Sequence, residues 1–186
     1  YYAHQFWLPQ MLDRTTQSQW LSLVESSEKD PKAAHFLSLL LTDCCYLSNY
    51  GDLFRIQRLQ NILTKEGISL MPLTIKGEYS SEMINNKCSM TIPDAPIIGY
   101  LLRHEQFWSL GLAGTQTVTL GSNLKANAKA LLLGGQHWGY KDYFNSVVQP
   151  SLFNLLKNLE SCEGPINLDQ LVLHIAGHSM GGAIAE

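Results

Sequence analysis

The sequence lacks several features that would assign it to a large class of proteins. It has no run of about 18 apolar residues and no charged N-terminal region followed by an apolar one, so it predicts neither a membrane span nor a signal peptide. The formal net charge is -3 and no basic stripe is visible, so nucleic acid is not an expected partner. The four cysteines have no C-x-x-C spacing, which disfavours zinc, and we expect no metal or cofactor.

Two of the cysteines, Cys44 and Cys45, are adjacent and lie in an apolar stretch with helical spacing. Neighbouring cysteines rarely form a disulfide with each other, so we expect both to be buried free thiols. The cysteine pattern leaves the redox compartment open.

Hydrophobic residues make up 45% of the 186 positions, which is enough for one domain with a real core. We expect a single incomplete domain, with a helical N-terminal portion over residues 1–96 and a core over residues 97–186. Because the sequence begins with Tyr1 and stops at Glu186, soon after a glycine-flanked serine, we also expect it to be a piece of a longer protein.

Apolar spacing and turn residues predict most of the secondary structure. Asp30-Pro31 is typical of a helix start, Asp52 is expected to cap a further helix, and Pro150 should kink or restart a long one. Predicted helices cover residues 17–27, 31–48, 53–66 and about 137–160. Predicted strands cover residues 68–75, 97–103, 107–113 and 171–176. Strands 97–103 and 107–113 are expected to form a hairpin.

The most informative stretch is Gly177-His178-Ser179-Met180-Gly181-Gly182. It follows the predicted strand 171–176, which has the apolar composition of a buried central strand, and it precedes small residues that suit a helix. A strand, a sharp turn at serine and a helix together form a nucleophile elbow, in which flanking glycines let neighbouring backbones approach. The alternative is a glycine-rich strand-to-helix turn with a serine cap.

Three landmarks occur in order: Gly114-Thr115 after a predicted strand, the block His137-Trp138-Gly139-Tyr140 before a long helix, and the serine motif. In this order and spacing they resemble the class 3 lipase family, the fungal-lipase-like branch of the α/β-hydrolases. The resemblance covers roughly residues 97–186, with a fainter echo in the predicted helix that contains Cys45 and Tyr46. It implies an α/β fold of the α/β-hydrolase type, with a mostly parallel central sheet, flanking helices and a missing C-terminal part.

The resemblance also implies residue roles. Ser179 matches the nucleophile, and Thr115 and Met180 match the donors of the oxyanion hole. Residues 116–125 fall where the family has its lid. The implied activity is hydrolysis of carboxylic esters of acylglycerols or phospholipids through an acyl-enzyme, with transient contact to a lipid surface.

The sequence departs from the family at Ala113, where the family has arginine, and in having no tryptophan in the lid-like segment. No aspartate or histidine follows Ser179 to complete a triad, so these 186 residues alone are expected to be inactive. We also expect them to aggregate or to be only partly ordered, because strand 171–176 would expose an edge. Two alternatives stay open: a non-catalytic interaction or lipid-binding module, and another hydrolase of the same fold, such as a thioesterase, peptidase or acyltransferase.

Overall fold

The computed structural model describes residues 17–75, 79, 81–84, 87–90, 95–114 and 136–185. The helices are α1 (Gln17–Ser27), α2 (Pro31–Asn49), α3 (Leu53–Lys65), α4 (Gln136–Tyr143), α5 (Gln149–Glu163) and α6 (Met180–Ala185). The strands are β1 (Ser69–Thr74), β2 (Ser81–Ile84), β3 (Lys87–Met90), β4 (Ile97–His104), β5 (Phe107–Leu112) and β6 (Val172–Gly177). The predicted helices 17–27, 31–48, 53–66 and 137–160 and the predicted strands 68–75, 97–103, 107–113 and 171–176 are confirmed to within a few residues. Strands β2 and β3 were not predicted, since the sequence of residues 80–87 indicated a polar loop or a helix.

The main sheet has four strands in the order β1-β4-β5-β6. Both β1–β4 and β4–β5 are antiparallel, and only β5–β6 is parallel. The expectation of a mostly parallel sheet is therefore wrong for the described strands, which form a mixed and mostly antiparallel open sheet. Strands β2 and β3 form a separate antiparallel pair.

Chain connections explain these directions. Only Glu105 and Gln106 lie between β4 and β5, and a two-residue turn can join only antiparallel strands. Glu105 has a φ of 49°, the left-handed value that such tight turns require. From β5 to β6 the chain instead passes through α4 and α5, long enough for the crossover that a parallel pair needs.

Helices cover both faces of the sheet, so the protein has three layers. One core cluster joins α1, α2 and α3 to one face, with Leu37, Leu41 and Tyr100 among its fully buried residues. The other joins α5 and Met180 to the opposite face, with Leu101 and Leu155 at its centre. Mixed α/β architecture is thus confirmed, whereas the division at residue 96 stays a prediction.

The helix-start signals differ in outcome. The Asp30 carboxylate accepts a hydrogen bond of 3.0 Å from the Lys32 N–H, so the predicted cap of α2 is confirmed. Asp52 precedes α3 but makes no capping hydrogen bond from its side chain. It forms a 2.7 Å ion pair with Arg55 instead, because the guanidinium one turn later competes for the same carboxylate.

Pro150 has the predicted effect on the long helix. Residues Phe144–Val148 form a π-helical segment between α4 and α5, and Pro150 lies in the first turn of α5. Proline lacks the N–H that an uninterrupted α-helix would use, and the π segment accommodates this loss.

Strand β6 is the edge of the four-stranded sheet rather than a central strand. Val172 is 59% exposed, and Leu173 and Ile175 are 38% and 37% exposed. The expectation of a buried central strand is wrong for this sheet, and among the described residues no further strand pairs with the outer edge of β6. Its apolar composition is that of a strand covered on both faces.

Candidate active site

Ser179 occupies the turn between β6 and α6 with a backbone conformation that is unusual for serine. Its φ is 55°, and Glu105 is the one other non-glycine residue with a positive φ in the described part of the chain. A side chain in this left-handed region costs about 1–3 kcal/mol, so surrounding contacts must hold it there. The side chain itself is exposed. The sequence therefore predicted this local geometry correctly.

Two glycines allow β6 and α6 to cross closely. A Cβ on Gly177 would overlap the backbone of Gly181, and a Cβ on Gly181 would overlap the carbonyl of Leu112 at the end of β5. Alanine at either position would force these backbones apart. The spacing of two residues on each side of Ser179 is what the turn requires.

Gly114 brings the end of β5 against the same serine. A Cβ at Gly114 would lie 3.1 Å from the Cβ of Ser179 and 2.6 Å from the carbonyl oxygen of His178. The next residue, Thr115, the predicted oxyanion donor, lies outside the described residues. So do residues 116–125 and the side chains of His137 and Trp138, although both of the latter belong to α4.

In the first turn of α6, one backbone N–H group has no acceptor among the described residues. The first four N–H groups of a helix lack acceptors within it. The N–H groups of Gly181, Gly182 and Ala183 donate to the carbonyls of His178 and Ser179 over 3.0 to 3.3 Å, whereas the Met180 N–H takes part in none of these bonds between described residues. The Met180 N–H thus has no acceptor among the described residues, as the predicted oxyanion role requires, and the Met180 side chain is buried.

A stripe of polar side chains on α2 follows β5 to this site. The Ser38 hydroxyl bonds to the Ser109 hydroxyl at 2.8 Å, and the Thr42 hydroxyl donates to the Leu112 carbonyl at 3.3 Å. Tyr46, the third member of the stripe, accepts a hydrogen bond of 3.0 Å from the Gly114 N–H. Its hydroxyl is also 3.1 Å from the Nδ1 atom of His178, which directly precedes Ser179.

Sequence reasoning missed the role of Tyr46. The available signal was the four-residue spacing of Ser38, Thr42 and Tyr46, which places three polar groups along one side of the helix. Polar groups on a buried helix side need partners, and here the partners are on β5 and in the turn after β6.

No described histidine forms a hydrogen bond with Ser179. The ring of His178 bonds to Tyr46, that of His104 bonds to Glu28 at 2.7 Å, and that of His174 lies edge-on to His35 at 6.5 Å. Burial, followed by the nearby charge of His35, lowers the pKa of His174. The Ser179 hydroxyl makes no hydrogen bond with another of the described residues. A general base for Ser179 is therefore not found among them.

Cysteine nucleophiles are disfavoured. Cys44 and Cys45 are free and buried, as the sequence predicted. Burial raises the pKa of both thiols far above the usual value, so neither forms the reactive thiolate at neutral pH. Ser179 differs from these two buried thiols in being exposed and in its left-handed backbone.

The described residues contain no cluster of three or more His, Cys, Asp or Glu side chains suited to a metal ion. Over the same residues, every helix is too short or too polar to cross a membrane. Comparison with protein-family models, with curated proteins and with solved structures gave no match for the chain. Any assignment of function therefore depends on the sequence motif and on the geometry around Ser179.

Proposed function

We propose that the protein is a serine hydrolase of the lipase and esterase type, similar to the class 3 lipases, and that Ser179 is its nucleophile. The observation that carries the proposal is the left-handed φ of 55° at Ser179, between a strand and a helix that cross at two glycines. Strained backbone conformations cluster at functional sites, and the one at Ser179 presents an exposed hydroxyl group at the N-terminus of α6.

The proposed reaction proceeds through an acyl-enzyme. The Ser179 oxygen attacks the carbonyl carbon of an ester while a base takes the hydroxyl proton, and the carbonyl oxygen gains the negative charge. The Met180 N–H and the Thr115 N–H and hydroxyl stabilise that oxyanion. The intermediate then releases the alcohol, which takes up the proton, and water hydrolyses the acyl-enzyme by the same steps.

The base and its orienting acid are proposed to be a histidine and an aspartate that are not among the described residues. Support comes from the described histidines, whose rings are directed to Tyr46, Glu28 or each other. Without a base the serine hydroxyl is a weak nucleophile, and loss of one triad member costs about 10⁴-fold or more in rate.

The proposed fold is that of an α/β-hydrolase. It is supported by the parallel pair β5–β6, by helices on both faces of the sheet, and by the position of the elbow at the C-terminal end of β6. Ligands of open α/β sheets bind at the carboxyl ends of the strands, which is where Gly114 and Ser179 meet.

Substrate comparison tests the proposal. The full-length protein and its Ser179→Ala variant are assayed against an acylglycerol, a phospholipid, a thioester and an amide of matched acyl chain. We expect hydrolysis of an oxygen ester that is fastest with the lipid substrates and absent in the variant. Faster cleavage of the thioester or amide would move the assignment to another hydrolase class, and lipid binding without cleavage would indicate a non-catalytic module.

A further inference from the structure

We propose that Tyr46 is a positioning residue, whose hydroxyl holds the end of β5 and the Ser179 turn in register. The inference rests on the proposed function and adds a residue that the serine motif does not contain. It concerns the backbone around the nucleophile and not contact with substrate.

The first step of the argument is the placement of two separate segments at one hydroxyl group. The Gly114 N–H donates to the Tyr46 oxygen at 3.0 Å, and the same oxygen is 3.1 Å from His178 Nδ1. Gly114 directly precedes the predicted oxyanion donor Thr115, and His178 directly precedes the nucleophile. One side chain on α2 thus connects the two backbone segments that lead to the proposed oxyanion donors, Thr115 and Met180.

The second step is that α2 is a firm support for this hydroxyl. Ser38 and Thr42 attach the same side of the helix to Ser109 and to the Leu112 carbonyl, at successive turns along β5. The backbone of α2 also lies so close to β5 that a Cβ on Gly111 would overlap Ser38 and Thr42. Tyr46 therefore extends from an element whose position relative to β5 is already fixed.

The third step is that backbone contacts alone hold the junction only in part. The His178 N–H donates to the Leu112 carbonyl at 3.2 Å, which fixes β6 to β5 just before the turn. The Gly114 N–H points to Tyr46 instead of to a backbone carbonyl. Catalysis needs donors within a few tenths of an ångström of their productive positions, so loss of this bond should affect the rate more than the fold.

The test compares Tyr46→Phe with Tyr100→Phe in the full-length protein. Tyr100 is a matched control because it is a buried tyrosine whose hydroxyl bonds to α2, at Ser48 over 2.7 Å, and to neither Gly114 nor His178. For Tyr46→Phe we expect kcat for the ester to fall about tenfold, because a displaced oxyanion donor loses part of its bond to the transition state, with KM within about twofold of wild type. For Tyr100→Phe we expect the thermal midpoint to fall and kcat to stay unchanged.

Amide hydrogen exchange at Gly114 gives a readout that does not depend on activity. We expect faster exchange at Gly114 in Tyr46→Phe and no change there in Tyr100→Phe. Unchanged kcat in Tyr46→Phe, or an equal fall in both variants, would overturn the positioning role while the hydrolase assignment stood. An inactive wild-type protein would overturn the hydrolase assignment, and unchanged Gly114 exchange would then overturn the structural connection as well.

Discussion

The backbone of Gly114 lies directly against the side chain of Ser179: a Cβ at residue 114 would be 3.1 Å from the Cβ of the serine. This contact brings the end of β5, which leads into Thr115, to the turn that presents the hydroxyl. It links the two parts of the sequence motif that carries the proposed chemistry.

Substitution Gly114→Ala should therefore impair reaction at Ser179 more than it impairs folding. The new methyl would lie 2.6 Å from the His178 carbonyl oxygen and would displace the turn. A displacement near 1 Å can cost about 100-fold in rate, so we expect a large loss in the rate of fluorophosphonate labelling. Gly99→Ala is the control, because it crowds the Gly111 carbonyl at 2.9 Å within the sheet. Equal labelling rates in both variants would contradict the role of this contact.

The adjacent glycines Gly181 and Gly182 should respond differently to alanine. In a helix, glycine to alanine is intrinsically favourable by about 1 kcal/mol. At Gly181 a Cβ would overlap the carbonyls of Leu112 and Ala113, whereas at Gly182 the nearest atom is the Gly177 carbonyl oxygen at 3.1 Å. We expect urea unfolding to show a large loss of stability for Gly181→Ala and a small change for Gly182→Ala. Similar midpoints for the two variants would be inconsistent with the close crossing.

The exposed edge of β6 should make the 186-residue chain self-associate. Val172 and Ile175 are 59% and 37% exposed, and an apolar edge strand is a template for pairing with another chain. Lysine at either position should reduce association, measured by sedimentation velocity. Phe54→Lys is the control, since Phe54 is 75% exposed but lies on α3. A monomeric wild-type chain at micromolar concentration would argue against this prediction.

His174 should make stability depend on pH. Burial, and then the charge of His35, lower the pKa of His174 in the folded protein below its ordinary value of 6.5. The unfolded chain therefore binds more protons in this range, and the free energy of unfolding falls as the pH drops through about 6.5. Urea unfolding at pH 7.5 and 5.5 should show that the free energy of unfolding differs less between the two pH values in His174→Gln than in wild type. An unchanged difference would show that His174 titrates normally.

Local signals in the sequence predicted the local structure well. The Asp30-Pro31 start of α2, the β4–β5 hairpin and the Ser179 turn each depend on residues close together in the chain, so their patterns are legible. The antiparallel pairing of β1 with β4 could not be predicted, because it joins segments that are distant in the sequence. The expectation of a mostly parallel sheet came from the family resemblance instead.

The contact between Tyr46 and His178 could not be predicted from the sequence either, since the two are 132 positions apart. Spacing on α2 indicated which side of the helix carries polar groups but not which strand they meet. The site could thus be predicted as a serine turn, whereas the support beneath it required the three-dimensional arrangement of α2, β5 and β6.

Activity-based labelling of the full-length protein tests the central claim most directly. A fluorophosphonate reacts with a serine only when that serine is an activated nucleophile. We predict a covalent adduct on the peptide that contains Ser179, found by mass spectrometry, and no adduct in Ser179→Ala. Absence of an adduct in the wild-type protein, or an adduct that persists in Ser179→Ala, would contradict the account.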